Sequence, residues 1–129
     1  MTKTSTRSFQ WITNQAVNPY VTIDSQQRLY ISKPARDLMV LPDGHFRLIA
    51  GYDFANHRIV LAKPEVVRVP NVVPYNFDKK AYSKVKHFVE AARLGDSLPI
   101  RFIYRGKDYS EYPQGAFAFE MAGAMPEDG

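Results

Sequence analysis

The chain has 129 residues, with 17 lysines and arginines against 13 aspartates and glutamates, for a formal net charge of +4. Its 45% apolar and 23% charged residues are typical of a soluble globular protein and exclude a largely disordered chain. There is no cysteine, which excludes disulfides and thiolate metal sites. No apolar run is long enough for a transmembrane helix and no signal-peptide core is visible, so we expect a cytoplasmic protein without membrane contact.

The first half of the chain is predicted to be rich in short strands. Residues 1–17 begin with a Ser/Thr-rich stretch carrying two basic residues, and they are interpreted as a mobile basic arm. Four runs then alternate between apolar and polar residues, as half-buried strands do: "YVTID", "RLYIS", "FRLIAGY" and "RIVLA". In the second run Leu29 and Ile31 are expected to point inward, and Arg28, Tyr30 and Ser32 outward.

A short helix is predicted between the second and third strands. Pro34 suits a first helical turn, where its missing N–H would be unpaired anyway. Pro42 and the turn formers Asp43 and Gly44 limit this helix to about one and a half turns.

The second half is predicted to be a separate unit. Residues 66–76 are rich in proline and valine and are interpreted as a linker between a domain at 18–65 and a small domain at 77–122, followed by a tail at 123–129. Within the second domain, Asp78 as N-cap and Gly95 as stop predict a long helix. Two runs after it, "PIRFIYRGKDY" and "GAFAFEM", predict a hairpin. The expected fold class is therefore α+β.

The segment 18–65 is small for an independent core. Without disulfides or a structural metal, so short a domain seldom buries enough surface to fold alone. It can complete its core on the C-terminal half or on a second copy of itself. A two-fold homodimer would also double the basic charge, and the whole positive excess lies in residues 1–68, with nine basic and five acidic residues.

The segment "IDSQQRLYISKPARDLMVLPDG" with the following "FRLIAGYDFANHRIVLAKP" resembles the AbrB/MazE/SpoVT swapped-hairpin domain. The resemblance covers about 45 residues, a third of the chain, and no cofactor or metal belongs to it. It implies a homodimer whose interleaved hairpins form a barrel-like core and bind double-stranded DNA as a transcriptional regulator. Carried over by position, Arg28 and Arg36, with Lys33, would contact DNA. Gln27 stands where the family has glycine, so a positive φ there would be strained.

Other readings compete with DNA binding. One alternative is that Arg28 is a solvated edge-strand charge and that Arg36 pairs with Asp37 or Asp43. The alternative function is a dimeric protein-interaction module, such as an inhibitor or antitoxin, with the C-terminal domain binding a protein. The mixture of aromatic and basic residues in "FIYRGKDYSEY" is found in single-strand binders, although a core or protein-binding role is favoured there. No nucleophile–base pair, metal-ligand spacing or phosphate loop is visible, so an enzyme is not expected.

Overall fold

The structure, a computed structural model, describes Phe9, Trp11, residues 18–107, Tyr109 and residues 111–122. Apart from Phe9 and Trp11, the predicted arm at 1–17 lies outside the described residues, as does the tail at 123–129. The elements in chain order are β1 Tyr20–Ile23, β2 Arg28–Ile31, α1 Lys33–Leu38, β3 Phe46–Asp53, β4 Arg58–Ala62, β5 Tyr75–Phe77, β6 Tyr82–Lys84, α2 Lys86–Ala91, a 3-10 helix Gly95–Ser97, β7 Ile100–Lys107 and β8 Phe117–Met121.

All eight strands belong to one sheet in the order β5-β3-β4-β8-β7-β1-β2-β6, and neighbouring strands are antiparallel. The two outermost strands, β5 and β6, are consecutive in the chain. A tight turn joins them, in which the Asp78 amide donates to the Tyr82 carbonyl at 2.9 Å. The two edges of the sheet therefore lie next to each other, and the sheet curves into a nearly closed barrel.

One apolar core fills the barrel. Successive side chains of a strand point to opposite faces, so every second residue of each strand faces inward. The inward side chains come from both halves of the chain and include Val21, Leu29, Ile31, Leu48, Leu61, Phe77, Phe102 and Phe119, each exposed by 1% or less.

The predicted α+β fold, with a swapped-hairpin dimer followed by a helix and a hairpin, is wrong. Strands β7 and β8 of the same chain lie between β1 and β4 and join the two N-terminal hairpins into one sheet. The chain completes its core with its own C-terminal half. Residues 18–65 and 77–122 thus share one sheet and one core.

The long helix predicted from Asp78 is also wrong. The Asp78 carboxylate accepts hydrogen bonds from the amides of Lys80 and Tyr82, at 2.9 and 3.0 Å, and Ala81 adopts a left-handed φ of 70°. These bonds stabilise a tight hairpin turn instead of a helix start. Pairing of β6 with β2 then holds residues 82–84 extended, and the helix is confined to α2.

The four N-terminal strands, the short helix α1, and strands β7 and β8 are confirmed. Pro34 lies in the first turn of α1 as expected. Ser32 is buried, contrary to its predicted outward position, because its hydroxyl caps α1 by accepting from Ala35 N and also accepts from Tyr20 N.

Two loops cover the outer face of β3 and β4. Residues 63–73, which include most of the predicted linker at 66–76, and residues 111–116 pack there. A second small apolar cluster forms from Ile49, Ala62, Val67 and Ala116. In the part of the chain that the structure describes, no helix is long and apolar enough to cross a membrane.

Candidate nucleic-acid interface

The outward side chains of four neighbouring strands, β7, β1, β2 and β6, form one continuous face. On it, Thr22 lies between Arg101 of β7 and Tyr30 of β2, and Tyr30 lies between Thr22 and Tyr82 of β6. The inward neighbours of these residues belong to the core, so strand alternation directs the polar and aromatic side chains to solvent. We call this surface the tyrosine–arginine face. It consists of Tyr20, Thr22, Arg28, Tyr30, Tyr82, Lys84 and Arg101.

Three tyrosine rings run in a row across this face. The ring centroids of Tyr20 and Tyr30 are 6.5 Å apart, and those of Tyr30 and Tyr82 are 4.8 Å apart. All three side chains are partly exposed. Such a row offers successive flat surfaces to stacking ligands.

Arginines flank the row at both ends. The guanidinium carbon of Arg101 lies 4.1 Å from the centroid of Tyr20, and that of Arg28 lies 4.8 Å from the centroid of Tyr82. These are cation–π distances, and each guanidinium lies over the ring that it contacts. Lys84 lies opposite Arg28 across the β2–β6 pair and is exposed, which adds a third positive charge.

Two carboxylates in hairpin turns reduce the positive charge of the face, Asp78 beside Tyr82 and Asp24 beside Arg28. Asp24, in the turn between β1 and β2, accepts from Arg28 Nε at 2.8 Å. The Arg28 side chain remains 41% exposed and that of Asp24 29% exposed. An exposed pair of this kind is weak, on the order of 0–1 kcal/mol, so an anionic ligand can compete for Arg28.

The three basic residues predicted from the sequence do not form one cluster. Arg28 begins β2 and belongs to the tyrosine–arginine face. Arg36, on α1, donates from Nε to the carbonyl of Ile31 at the other end of β2, about 10 Å along the strand. Lys33 is exposed at the start of α1 and pairs with Asp37 at 3.0 Å.

Most of the face was missed by the sequence reasoning. Alternation along β1 and β2 correctly gave the outward direction of Arg28 and Tyr30. Tyr82 and Lys84 were assigned to a helix, and Arg101 was not connected with the N-terminal strands. The segment "FIYRGKDYSEY" contains aromatics that lie elsewhere: Tyr104 packs against the core beside Phe117 and Phe119.

A second polar cluster surrounds Asp53 at the turn between β3 and β4. Hydrogen bonds from the hydroxyl of Tyr112, the side-chain amide of Asn56 and the backbone amides of Asn56 and Ala55 hold the pKa of Asp53 at about 2. Both carboxylate oxygens are thus occupied, which suits a turn anchor better than a general base. Among the described residues, no group of three or more His, Asp or Glu side chains is placed to hold a metal ion.

Comparison of the chain with protein families, curated proteins and solved structures finds no match. The resemblance to the AbrB/MazE/SpoVT domain stays a prediction, while the swapped-hairpin dimer fold it implied is wrong.

Proposed function

We propose that this protein binds single-stranded nucleic acid on the tyrosine–arginine face. The observation that carries the proposal is the row of three tyrosine rings between two arginines. Each base has a π-face that can stack on tyrosine, and arginine and lysine contact the phosphates that link the bases. This combination of stacking platforms and cations binds a strand with little dependence on its sequence. We propose that this binding takes place in the cytoplasm.

Single strands are favoured over duplexes by the chemistry of the face. The bases of a duplex are already stacked on one another, so exposed tyrosine rings gain access to them only in unpaired nucleic acid. The expectation of a duplex-binding regulator depended on Arg28, Arg36 and Lys33 being present twice in a homodimer. Duplex DNA therefore serves as the competing ligand in the test.

The decisive experiment is a fluorescence anisotropy titration with a labelled 12-nucleotide oligothymidylate and a 12-base-pair duplex of mixed sequence. We expect the single strand to bind more tightly than the duplex. With three cations contacting phosphates, the log–log dependence of affinity on salt should have a slope of about −2. A flat salt dependence, or a preference for the duplex, would contradict the proposal.

Matched variants separate stacking from charge and from folding. Tyr82→Ala should weaken binding roughly 5- to 100-fold, whereas Tyr82→Phe, which keeps the ring, should bind nearly as the wild type does. Arg101→Ala should weaken binding and reduce the salt slope by about 0.7. Arg47→Ala, an exposed arginine of β3 outside the face, is the control and should change neither. Circular dichroism verifies that each variant is folded.

The alternative function, binding a protein partner, has its own observation in its favour. Clusters of exposed apolar side chains are uncommon in solvent-facing loops. Segment 63–73 has such a cluster, formed by Val66, Val69, Val72 and Val73. This alternative gains weight if neither the oligonucleotide nor the duplex binds.

A further inference from the structure

A cavity of about 600 Å³ lies outside the barrel. It lies against strands β3 and β4, across the barrel from strands β1 and β2 of the tyrosine–arginine face. Its floor is the outer side of β3 and β4, with Ile49, Gly51, Val60 and Ala62. Valines of segment 63–73 form one wall, and Tyr112, Pro113 and Ala116 form the other. The volume is within the range of small-molecule sites.

Packing between the two loops maintains the cavity. Gly115 lies so close to segment 63–73 that a Cβ on it would come within 2.8 Å of Val66 Cγ1. Val67 and Ala116 are buried between the loops and the sheet. The walls are thus held by apolar contacts, and the space between them is a built feature of the fold.

Gly51 is the most informative residue of the floor. It lies in the interior of β3, where glycine is unfavourable by about 0.5–1 kcal/mol relative to alanine. Its φ is outside the left-handed region, and a Cβ there would meet nothing within 4 Å. Neither backbone conformation nor a close protein neighbour requires glycine. Glycine at this position leaves open space above the strand, as glycines do in strands that a ligand approaches.

The charges at the cavity have one sign. Of the described residues that line it, the side chains that are charged at neutral pH are Asp53 and Glu111, both acidic. Asp53 is ionised at neutral pH, since its pKa is about 2. Arg58, the cross-strand neighbour of Asp53, does not line the cavity, but its guanidinium pairs with Glu120 at 3.0 Å and also hydrogen-bonds to Tyr112, so one positive charge lies next to the Tyr112 hydroxyl. The ring of Tyr112 adds an aromatic surface that attracts cations.

We propose that this cavity binds a small organic cation, a protonated amine carried on an apolar body. The apolar body occupies the space over Gly51 between the valine wall and the Pro113 wall. The ammonium group lies toward Glu111, and Asp53, whose oxygens are already hydrogen-bonded, adds negative charge nearby. The site is separate from the proposed nucleic-acid interface, which attracts anions, and it does not depend on that function.

Three probes that share a biphenyl group and differ in charge test the proposal. They are the cationic (biphenyl-4-yl)methylamine, the neutral (biphenyl-4-yl)methanol and the anionic biphenyl-4-carboxylate. Binding to the full chain is followed by amide chemical shifts of Gly51, Val60 and Ala62 in NMR titrations. We expect the amine to bind tightest, roughly ten-fold more tightly than the carboxylate at low salt, with the alcohol between them. If the alcohol or the carboxylate binds as tightly as the amine, the cation site is refuted.

Two glycine variants locate the site. Gly51→Leu should fill the cavity and weaken amine binding at least ten-fold without disturbing the fold. Gly95→Leu is the matched control, because Gly95 is also exposed with nothing within 4 Å of a Cβ but does not line the cavity. It should bind the amine as the wild type does. Glu111→Gln should reduce the preference for amine over alcohol. Unchanged amine binding by Gly51→Leu would overturn the proposal.

Discussion

At the scale of single residues, Val40 occupies an unusual conformation. It follows α1 with a φ of 56°, and its amide donates to Asp37 O while that of Leu41 donates to Arg36 O, at 3.1 and 2.9 Å. This hydrogen-bond pattern is a Schellman motif, whose left-handed position is usually glycine. A β-branched side chain is strained there, and at 75% exposure the valine gains little from burial.

Replacing Val40 by glycine should therefore stabilise the protein. Relief of backbone strain of about 1–2 kcal/mol outweighs the extra entropy that glycine loses on folding, for a net gain of about 0.5–1 kcal/mol. Urea unfolding at 25 °C measures the effect. Val73→Gly is the control, since Val73 is 81% exposed without a positive φ, and it should be neutral or destabilising. A Val40→Gly variant no more stable than the wild type would refute the strain.

The hydrogen-bonded Asp53 should give the protein an acid-sensitive component of stability. Its pKa is about 2 in the folded state against an ordinary value of 3.8, so the ionised carboxylate stabilises the fold. That contribution is fully present above pH 4 and is lost as the pH falls through about 2. Because the group is partly exposed, solvent screening makes the effect smaller than the shift alone implies.

Urea unfolding of Asp53→Asn beside the wild type at pH 6, 4 and 2 tests this component. Asp53→Asn should be less stable at pH 6 and should lose less stability between pH 4 and pH 2. Asp43→Asn, at an exposed loop position, is the control for the loss of one carboxylate charge. Parallel pH profiles for Asp53→Asn and the wild type would rule out the linkage.

At the scale of elements, two hairpins contain turns of the same type. Asp24 in "DSQQR" and Asp78 in "DKKAY" each accept from the amides two and four residues later. The residue before the second strand is left-handed in both, Gln27 with a φ of 61° and Ala81 with 70°. Turns of this kind usually carry glycine or asparagine at that position. Gln27 thus keeps the positive φ that was expected to be strained.

Both turns lack glycine, so the alternation of the flanking strands determined which hairpin could be predicted from the sequence. The first hairpin was found because clear alternation in "YVTI" and "RLYI" flanks it. The second was missed because its strands have only three residues each and Tyr82, Val85 and Val89 are spaced as in a helix. The same error concealed Tyr82 and Lys84 of the candidate site. Its rows of side chains depend on β2 pairing with β6 and β1 with β7, and such long-range pairing leaves no local pattern in the sequence.

The Asp78 turn should control closure of the barrel, since it joins the two edge strands. Asp78→Ala removes the acceptor for Lys80 N and Tyr82 N, so we expect a lower melting temperature and faster hydrogen exchange of β6 amides than of β7 amides. Asp78→Asn, which keeps a side-chain acceptor, should restore much of the protection. If exchange in β6 is unchanged in Asp78→Ala, closure does not depend on this turn.

At the scale of the whole molecule, the two halves of the chain are interleaved. Each of the four N-terminal strands pairs with at least one strand from beyond residue 74: β1 with β7, β2 with β6, β3 with β5 and β4 with β8. The inward face of each N-terminal strand also packs on core residues from the C-terminal half. Stability is therefore a property of the full barrel.

A fragment of residues 18–65 should consequently be unfolded. It would expose four strand edges and the apolar face that Phe77, Phe102 and Phe119 cover in the whole chain. Far-ultraviolet circular dichroism should show no sheet, and amide proton shifts should show little dispersion. A swapped-hairpin domain would instead give a folded dimer from the same residues. An equimolar mixture with a fragment of residues 66–122 should recover sheet structure, because it supplies the missing strands β5 to β8. Folding of the 18–65 fragment by itself would contradict the interleaved barrel.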